Sequence, residues 1–261
     1  MKITLLQRRG EVEERHFCDA LENTLASLQG DLRVEASVQP FSKYGWAVIE
    51  IKGDDSEVFV ELVAQKFGLA PFEVSEIERL GNYRGTVRSF DSDLIADIGI
   101  EQPKPAYVRV RLSSVRAQLA DGRGQVTAQE IAESYCLFPG TPVSVRLTSL
   151  GPDDTEIEGW LSDSQMSTYS EWINCGLERV QVYDCLKSQL DFAIRKARLE
   201  RDVVSTEQLN LTTHSVLCKI GTDAVGVIPR LGSILRRSRL QPFMPQRIQK
   251  KYRAWTDGIP E

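Results

Sequence analysis

Apolar positions along the chain change period several times, and those changes divide it into three parts. Residues 2–7 read as a short strand. From Glu11 to Leu28, the spacing of Phe17, Leu21, Leu25 and Leu28 predicts one face of a helix, and Gln29-Gly30-Asp31 ends it. Leu32 to Gln39 alternates as a strand, Pro40 to Tyr44 turns the chain, and Gly45 to Lys52 is a second, more apolar strand. Gly53-Asp54-Asp55 supplies turn and cap chemistry before a helix over Ser56 to Phe67, with Val58, Phe59, Leu62, Val63 and Phe67 expected inside. The order is β-α-β-β-α, the beginning of a ferredoxin-like unit with helices on one face of a small antiparallel sheet. Only Phe72 to Leu80 offers a fourth strand.

From about residue 81 the elements become short and mostly extended. Tyr83 to Val87 starts a strand, Phe90 to Asp93 turns, and Leu94 to Gly99 forms a second strand. Tyr107 to Leu112 alternates apolar Val108, Val110 and Leu112 with Arg109 and Arg111. Thr127-Ala128-Gln129-Glu130 is a capping box opening a short helix. Pro142 to Leu147 and Glu156 to Leu161 read as two more strands. Many short strands around one helix predict a small barrel. A second capping box, Ser162 to Gln165, opens a helix through Trp172. Beyond it, Leu177 to Tyr183 reads as a strand, Leu186 to Leu199 as a helix and Val203 to Gln208 as a strand. His214 to Ile220 reads as a strand hairpinned through Gly221 to Ala224 onto Val225 to Ile228. Ser233 is the expected cap of a final short helix. The third part thus repeats the element order of the first, without a residue-level repeat. The fold expected is α+β, with modules at 1–80, 81–161 and 162–261.

Composition is that of an ordinary globular chain, 41% hydrophobic and 26% charged. No run of apolar residues approaches the length of a membrane span. The apolar run in Met1 to Arg9 is too short for a secretory leader, so the cytoplasm is the expected location. Cys18, Cys136, Cys175, Cys185 and Cys218 are odd in number and widely spaced, which points to reduced thiols, with Cys218 as a small hydrophobe in its strand.

Charge alters the picture more. The net charge is −5, yet Arg195 to Arg253 holds 13 Lys+Arg against 4 Asp+Glu, a local +9, while residues 1–194 carry −12. A segregation of this size suggests an anionic partner for the basic segment. A solvated basic face that balances acidic surface elsewhere is the plainer reading. The candidate nucleic-acid-binding residues are Arg195, Arg198, Arg201, Lys219, Arg230, Arg236, Arg237, Arg239, Arg247, Lys250, Lys251 and Arg253. Guanidinium forks and lysine charges suit phosphates. Trp255, in the same tail, is a candidate interaction residue. Trp160 and Trp172 are expected to pack between modules, and Trp46 on the first sheet.

Gly85-x-Val87 on the first barrel strand and Asp97-Ile98-Gly99 after the second resemble an S1-like RNA-binding domain, an OB-type barrel. Such domains carry base-stacking aromatics on strands two and three. Here strand two reads Leu94-Ile95-Ala96, and only Tyr107 lies near strand three. Across the chain, Gly45 to Ile51, Arg116 to Gly122 and Cys218 to Pro229 resemble an uncharacterised archaeal family, a domain of unknown function. That resemblance implies a three-part architecture and no reaction. Flanked by α/β modules, an S1-like barrel also resembles the build of translation factors, a fold-level analogy.

No phosphate-loop, dinucleotide or nucleophile-elbow motif is present, and no cysteine–histidine spacing suits zinc. Gly221 to Gly226 has the phosphate-loop glycine spacing, but Val227 and Ile228 stand where Lys and Ser/Thr are needed. His214 shares the parity of Val216 and Cys218 and is expected in the core, and His16 at the surface. Asp223 is most simply a turn residue. Lys219, Thr222 and Asp223 could instead form a site at the hairpin tip. The reading is a non-enzymatic RNA- or ribonucleoprotein-binding protein without cofactor, metal or membrane. The alternatives are an RNA- or nucleotide-modifying enzyme using Asp202, Asp223 and Lys219, and a protein-only scaffold whose basic segment docks on a sister subunit.

Overall fold

The computed structural model describes residues 1–151 and 157–253. The first module runs β1 (Lys2–Thr4), α1 (Glu14–Gln29), β2 (Val34–Gln39), β3 (Val48–Gly53) and α2 (Ser56–Phe67). Its sheet has the order β1-β3-β2, with β3 antiparallel to both neighbours. Phe17, Leu21 and Leu25 of α1 and Phe59, Val63 and Phe67 of α2 are buried against Ile49 and Ile51 of β3. Two expectations fail here. Val58 is 52% exposed, because it sits one position before Phe59 on the solvent side of α2. Phe72 to Leu80 forms no strand: a 3-10 turn, Val74–Glu76, occupies it, and the free edge of β1 is met only by a single bridge, Leu5 to Leu69.

The second module is a closed barrel of β4 (Asn82–Phe90), β5 (Leu94–Ile100), β6 (Ala106–Val110), β7 (Pro142–Leu150) and β8 (Ile157–Leu161). Its order is β4-β5-β6-β8-β7, closing β7 on β4, with β6 and β8 parallel and the rest antiparallel. Two helices, α3 (Leu112–Leu119) and α4 (Ala128–Tyr135), fill the connection between the third and fourth strands. This is the OB order. Both glycines of the barrel signature have steric reasons. A Cβ on Gly85 would stand 2.4 Å from the Asp97 carbonyl oxygen, and Gly99 has φ +91° with Ala70 against it. The Thr127–Glu130 capping box forms in full and starts α4. Helix α3 departs from the strand pattern: Leu112 reads as the end of an alternating strand but opens that helix, with Val115 and Leu119 buried.

The third module follows α5 (Asp163–Cys175) and runs β9 (Arg179–Val182), α6 (Lys187–Lys196), β10 (Val203–Gln208), β11 (His214–Cys218), α7 (Ala224–Gly232), β12 (Leu240–Phe243) and α8 (Pro245–Ile248). The sheet order is β10-β11-β9-β12, every neighbour antiparallel, so β-α-β-β-α-β closes as a complete ferredoxin-like unit. Val225 to Ile228 is not a strand, contrary to the hairpin expectation. Asp223 caps α7 by accepting a hydrogen bond from the Val225 amide at 3.1 Å, and Ala224, Val227 and Leu231 are buried on one helical face. Ser233 follows α7 rather than capping a later helix. The edge strand β12 was missed because Pro242 interrupts its pattern.

Polar clamps and shared cores join the three modules. Gln7 donates from Nε2 to the Phe67 carbonyl at 2.9 Å and accepts at Oε1 from the Leu211 amide at 2.7 Å. Arg8 lies 3.8 Å over buried Trp46 and pairs at 2.7 Å with Asp97, which is 2% exposed. Leu186 and Leu211 complete the first module's core, while Trp172, Phe243, Ile248 and Tyr252 pack into the barrel's. No described helix is long and apolar enough to cross a membrane.

Candidate nucleic-acid interface

The barrel strands alternate in and out, and their outer side is the first candidate surface. Val108 and Val110 of β6 point into the core, which leaves Tyr107 and Arg109 outside. Tyr107 is half-buried, with the Arg88 guanidinium 4.4 Å from its ring centre. On β8, Ile157, Gly159 and Leu161 face inward, so Glu158 and Trp160 face outward. Trp160 is 55% exposed. The expectation that it packs between modules is therefore corrected, and the β8 alternation itself held the signal. Trp172, at 8% exposure, does pack between modules. In OB barrels the face of strands two and three binds oligonucleotides; here β6 and its neighbour β8 present Tyr107, Arg109 and Trp160, while the outward Asp97 of β5 is buried under Arg8.

Those arginines are held rather than loose. Arg109 donates from Nε to Asp93 at 2.6 Å, Arg111 donates to Glu158 at 2.9 Å, and Arg146 stands 3.8 Å from Asp163. Burial pushes the Asp93 carboxyl up, but the Leu112 amide and the Arg109 guanidinium together hold it below its ordinary value. The face is thus mixed in charge, and what distinguishes it is two aromatic rings, Tyr107 with the Arg88 guanidinium beside it and Trp160 across from Arg146 of β7.

The twelve basic candidates do not form one patch. Arg195, Arg198, Arg201, Lys219 and Arg230 gather where α6 ends, β10 begins and β11 ends. Within that group Arg230 donates to Asp202 at 2.9 Å and to the carbonyls of Ala197 and Arg198, so it ties the module together. Arg236, Arg237 and Arg239 lie between α7 and β12, at the opposite end of the sheet, on the order of 15 Å away by strand length. Arg237 stands 3.6 Å from Glu13 of the first module, and Arg239 lies 5.3 Å from the Phe138 ring. Arg247, Lys250 and Lys251 follow β12 and face α4 of the barrel. Lys251 donates to Glu130 at 2.8 Å, and its hydrogen bond, with those from Thr127, holds the Glu130 carboxyl down to about 2. Arg253 is the last described residue, and Trp255 lies outside the described residues. Three of the twelve, Arg230, Arg237 and Lys251, therefore pair with acidic residues of the same chain.

Two of the three residues considered for catalysis have structural duties. Asp223 caps α7 and Asp202 holds Arg230. Lys219 is exposed, its amide bonded to the Asp202 carbonyl. His214 is fully buried, with Nε2 2.8 Å from the Cys185 carbonyl, and burial lowers its pKa to about 4. Among the described residues no cluster of His, Cys, Asp and Glu could hold a metal ion.

With that geometry in place, comparison with known proteins bears on the third module. Residues 177–241 match the DUF2110 C-terminal domain. The DUF2110 match begins just before β9 and ends inside β12, so it covers the ferredoxin-like sheet and leaves the barrel and the first module outside. No curated protein matches the chain. Among solved structures, a chain in the crystal structure of the a/eIF2alpha-aDim2p-rRNA complex from Pyrococcus horikoshii OT3 overlaps 47% of this chain at 13% identity and a TM-score of 0.24. The overlap spans 64% of that neighbour's length.

Proposed function

We propose that the chain binds single-stranded RNA, alone or within a ribonucleoprotein, on the outer face of its S1-like barrel, and that it does so without catalysing a reaction. One observation carries the reading: the closed barrel of OB order exposes Tyr107 under Arg88 and a half-exposed Trp160 on adjacent strands. Aromatic rings and guanidinium planes accept unpaired bases regardless of sequence. The basic residues of the third module serve as secondary phosphate contacts, chiefly Arg236, Lys219 and Arg201, which are exposed. The five cysteines are free thiols, which suits a reducing compartment, so the cytoplasm belongs to the proposal. A role in translation rests on the architectural analogy alone.

The scaffold reading has a specific observation against it. The pairs Arg237–Glu13 and Lys251–Glu130 form within one chain, so two cations of the basic segment find acidic partners without a sister subunit. To test RNA binding, the full chain is titrated by fluorescence anisotropy with a mixed-sequence single-stranded RNA of about twelve nucleotides and with a duplex of the same length. Preference for the single strand of at least about tenfold is expected from stacking. Equal affinity for both, or none for either, contradicts the proposal.

A further inference from the structure

A crevice of 390 Å³ opens where the three modules meet, walled by α2, β7, α5 and the helix-free face of the third sheet. Its floor is unusual. Val180 and Val182 of β9 point to the core under α6 and α7, so Gln181 points the other way, into the crevice wall. Gln181 is 2% exposed. Its Nε2 donates to Ser215 Oγ at 3.1 Å, and its Oε1 has no hydrogen-bond partner among the described residues. Turning the amide over would satisfy the oxygen and strand the nitrogen instead, so one end is left over in either orientation. A buried amide left half-satisfied is costly, and an apolar residue of similar size would avoid that cost. Leftover polar groups in a concave site are the usual means of orienting a ligand.

The rest of the lining defines the ligand's chemistry. Trp172 and Tyr169 supply aromatic wall beside Gln181. Lys66 and Arg84, both exposed, line the same crevice at its mouth. Glu207 also lines it, but its charge is met by Arg179 at 3.3 Å. An amide at the floor, rings at the side and two cations at the mouth match a flat heterocycle with hydrogen-bonding edges and a phosphate. The volume suits one such unit rather than a longer segment. We infer that the crevice holds a single nucleotide, its base edge on the Gln181 amide and its phosphate between Lys66 and Arg84. The choice of a nucleobase over other heterocycles rests on the RNA reading above, with the crevice as a second site apart from the barrel face.

The test uses the full chain and isothermal titration calorimetry with AMP, GMP, CMP and UMP as probes, alongside inorganic phosphate. At least one nucleotide is expected to bind with one-to-one stoichiometry, and phosphate alone to bind at least tenfold more weakly. Gln181→Leu is expected to weaken the nucleotide at least tenfold while its thermal midpoint stays at or above that of the native chain. Should that variant fail to fold, Thr168→Trp obstructs the crevice wall without touching the amide, and the same loss is expected. No binding by any of the four nucleotides at millimolar concentration overturns the inference, as does undiminished binding in both variants. Oligonucleotide binding that persists while every mononucleotide fails overturns the crevice and leaves the barrel reading standing. Mononucleotide binding without oligonucleotide binding upholds the crevice and retires the barrel.

Discussion

His214 is a residue whose burial has a measurable consequence. A carbonyl can only accept, so the 2.8 Å contact to Cys185 fixes the proton on Nε2. Nδ1 has no partner among the described residues, and no hydrogen bond there compensates the loss of water. Burial, opposed by the Cys185 carbonyl, lowers the pKa from 6.5 to about 4. The unfolded chain therefore binds more protons than the folded one between those values, and stability rises with pH across that window. It is complete above about pH 6.5 and lost as pH falls toward 4. Urea titrations at pH 7 and pH 5 are expected to show a drop about 2 kcal/mol larger in the native chain than in His214→Gln. An equal drop in both would mean that the imidazole is not kept neutral by the fold.

At the level of elements, α7 decides how the third module closes. An uncapped Val225-Gly226-Val227-Ile228 suits a strand as well as a helix, and the Asp223 cap selects the helix. Asp223→Ala is expected to cost about 1 kcal/mol in chemical denaturation, and Ser233→Ala, which removes only a bond to the Arg230 carbonyl, a few tenths at most. The reverse order would restore the hairpin. The same ambiguity explains which parts of the fold were legible in the sequence. Helices α1 and α2 declared themselves through Phe17, Leu21 and Leu25 and through Phe59, Val63 and Phe67, because an apolar stripe of helical period has no second interpretation. Helix α3 continues a strand's alternation past Val110 without a break residue, and β12 carries Pro242, so local pattern alone misassigns both. Tyr107 was legible as a barrel-face residue, while Trp160, a large ring at an outward position of β8, runs against the usual burial of tryptophan. The Gln181 amide was invisible, since only the sheet order puts it under α5.

For the molecule as a whole, the interlocking of the modules matters most. Gln7 of the first module bonds to Leu211 of the third, Arg8 clamps Asp97 of the barrel, and Phe243 and Tyr252 enter the barrel core from the third module's end. Shared cores of this kind predict one cooperative unfolding transition in calorimetry, and resolved separate transitions would show independent modules. Charge segregation in the sequence was real, but folding brings Arg237 to Glu13 and Lys251 to Glu130, and strand direction separates the other cations. RNA affinity should accordingly depend more on stacking than on counterion release, with a shallow salt dependence. The most direct test titrates a single-stranded RNA against three proteins: the native chain, Tyr107→Ala/Trp160→Ala, and Arg236→Glu/Arg237→Glu/Arg239→Glu. The barrel double variant is expected to lose about 30-fold or more in affinity, from two stacking contacts, and the triple variant less than tenfold. A double variant that binds as the native chain does, beside a triple variant that fails to bind, would contradict the account.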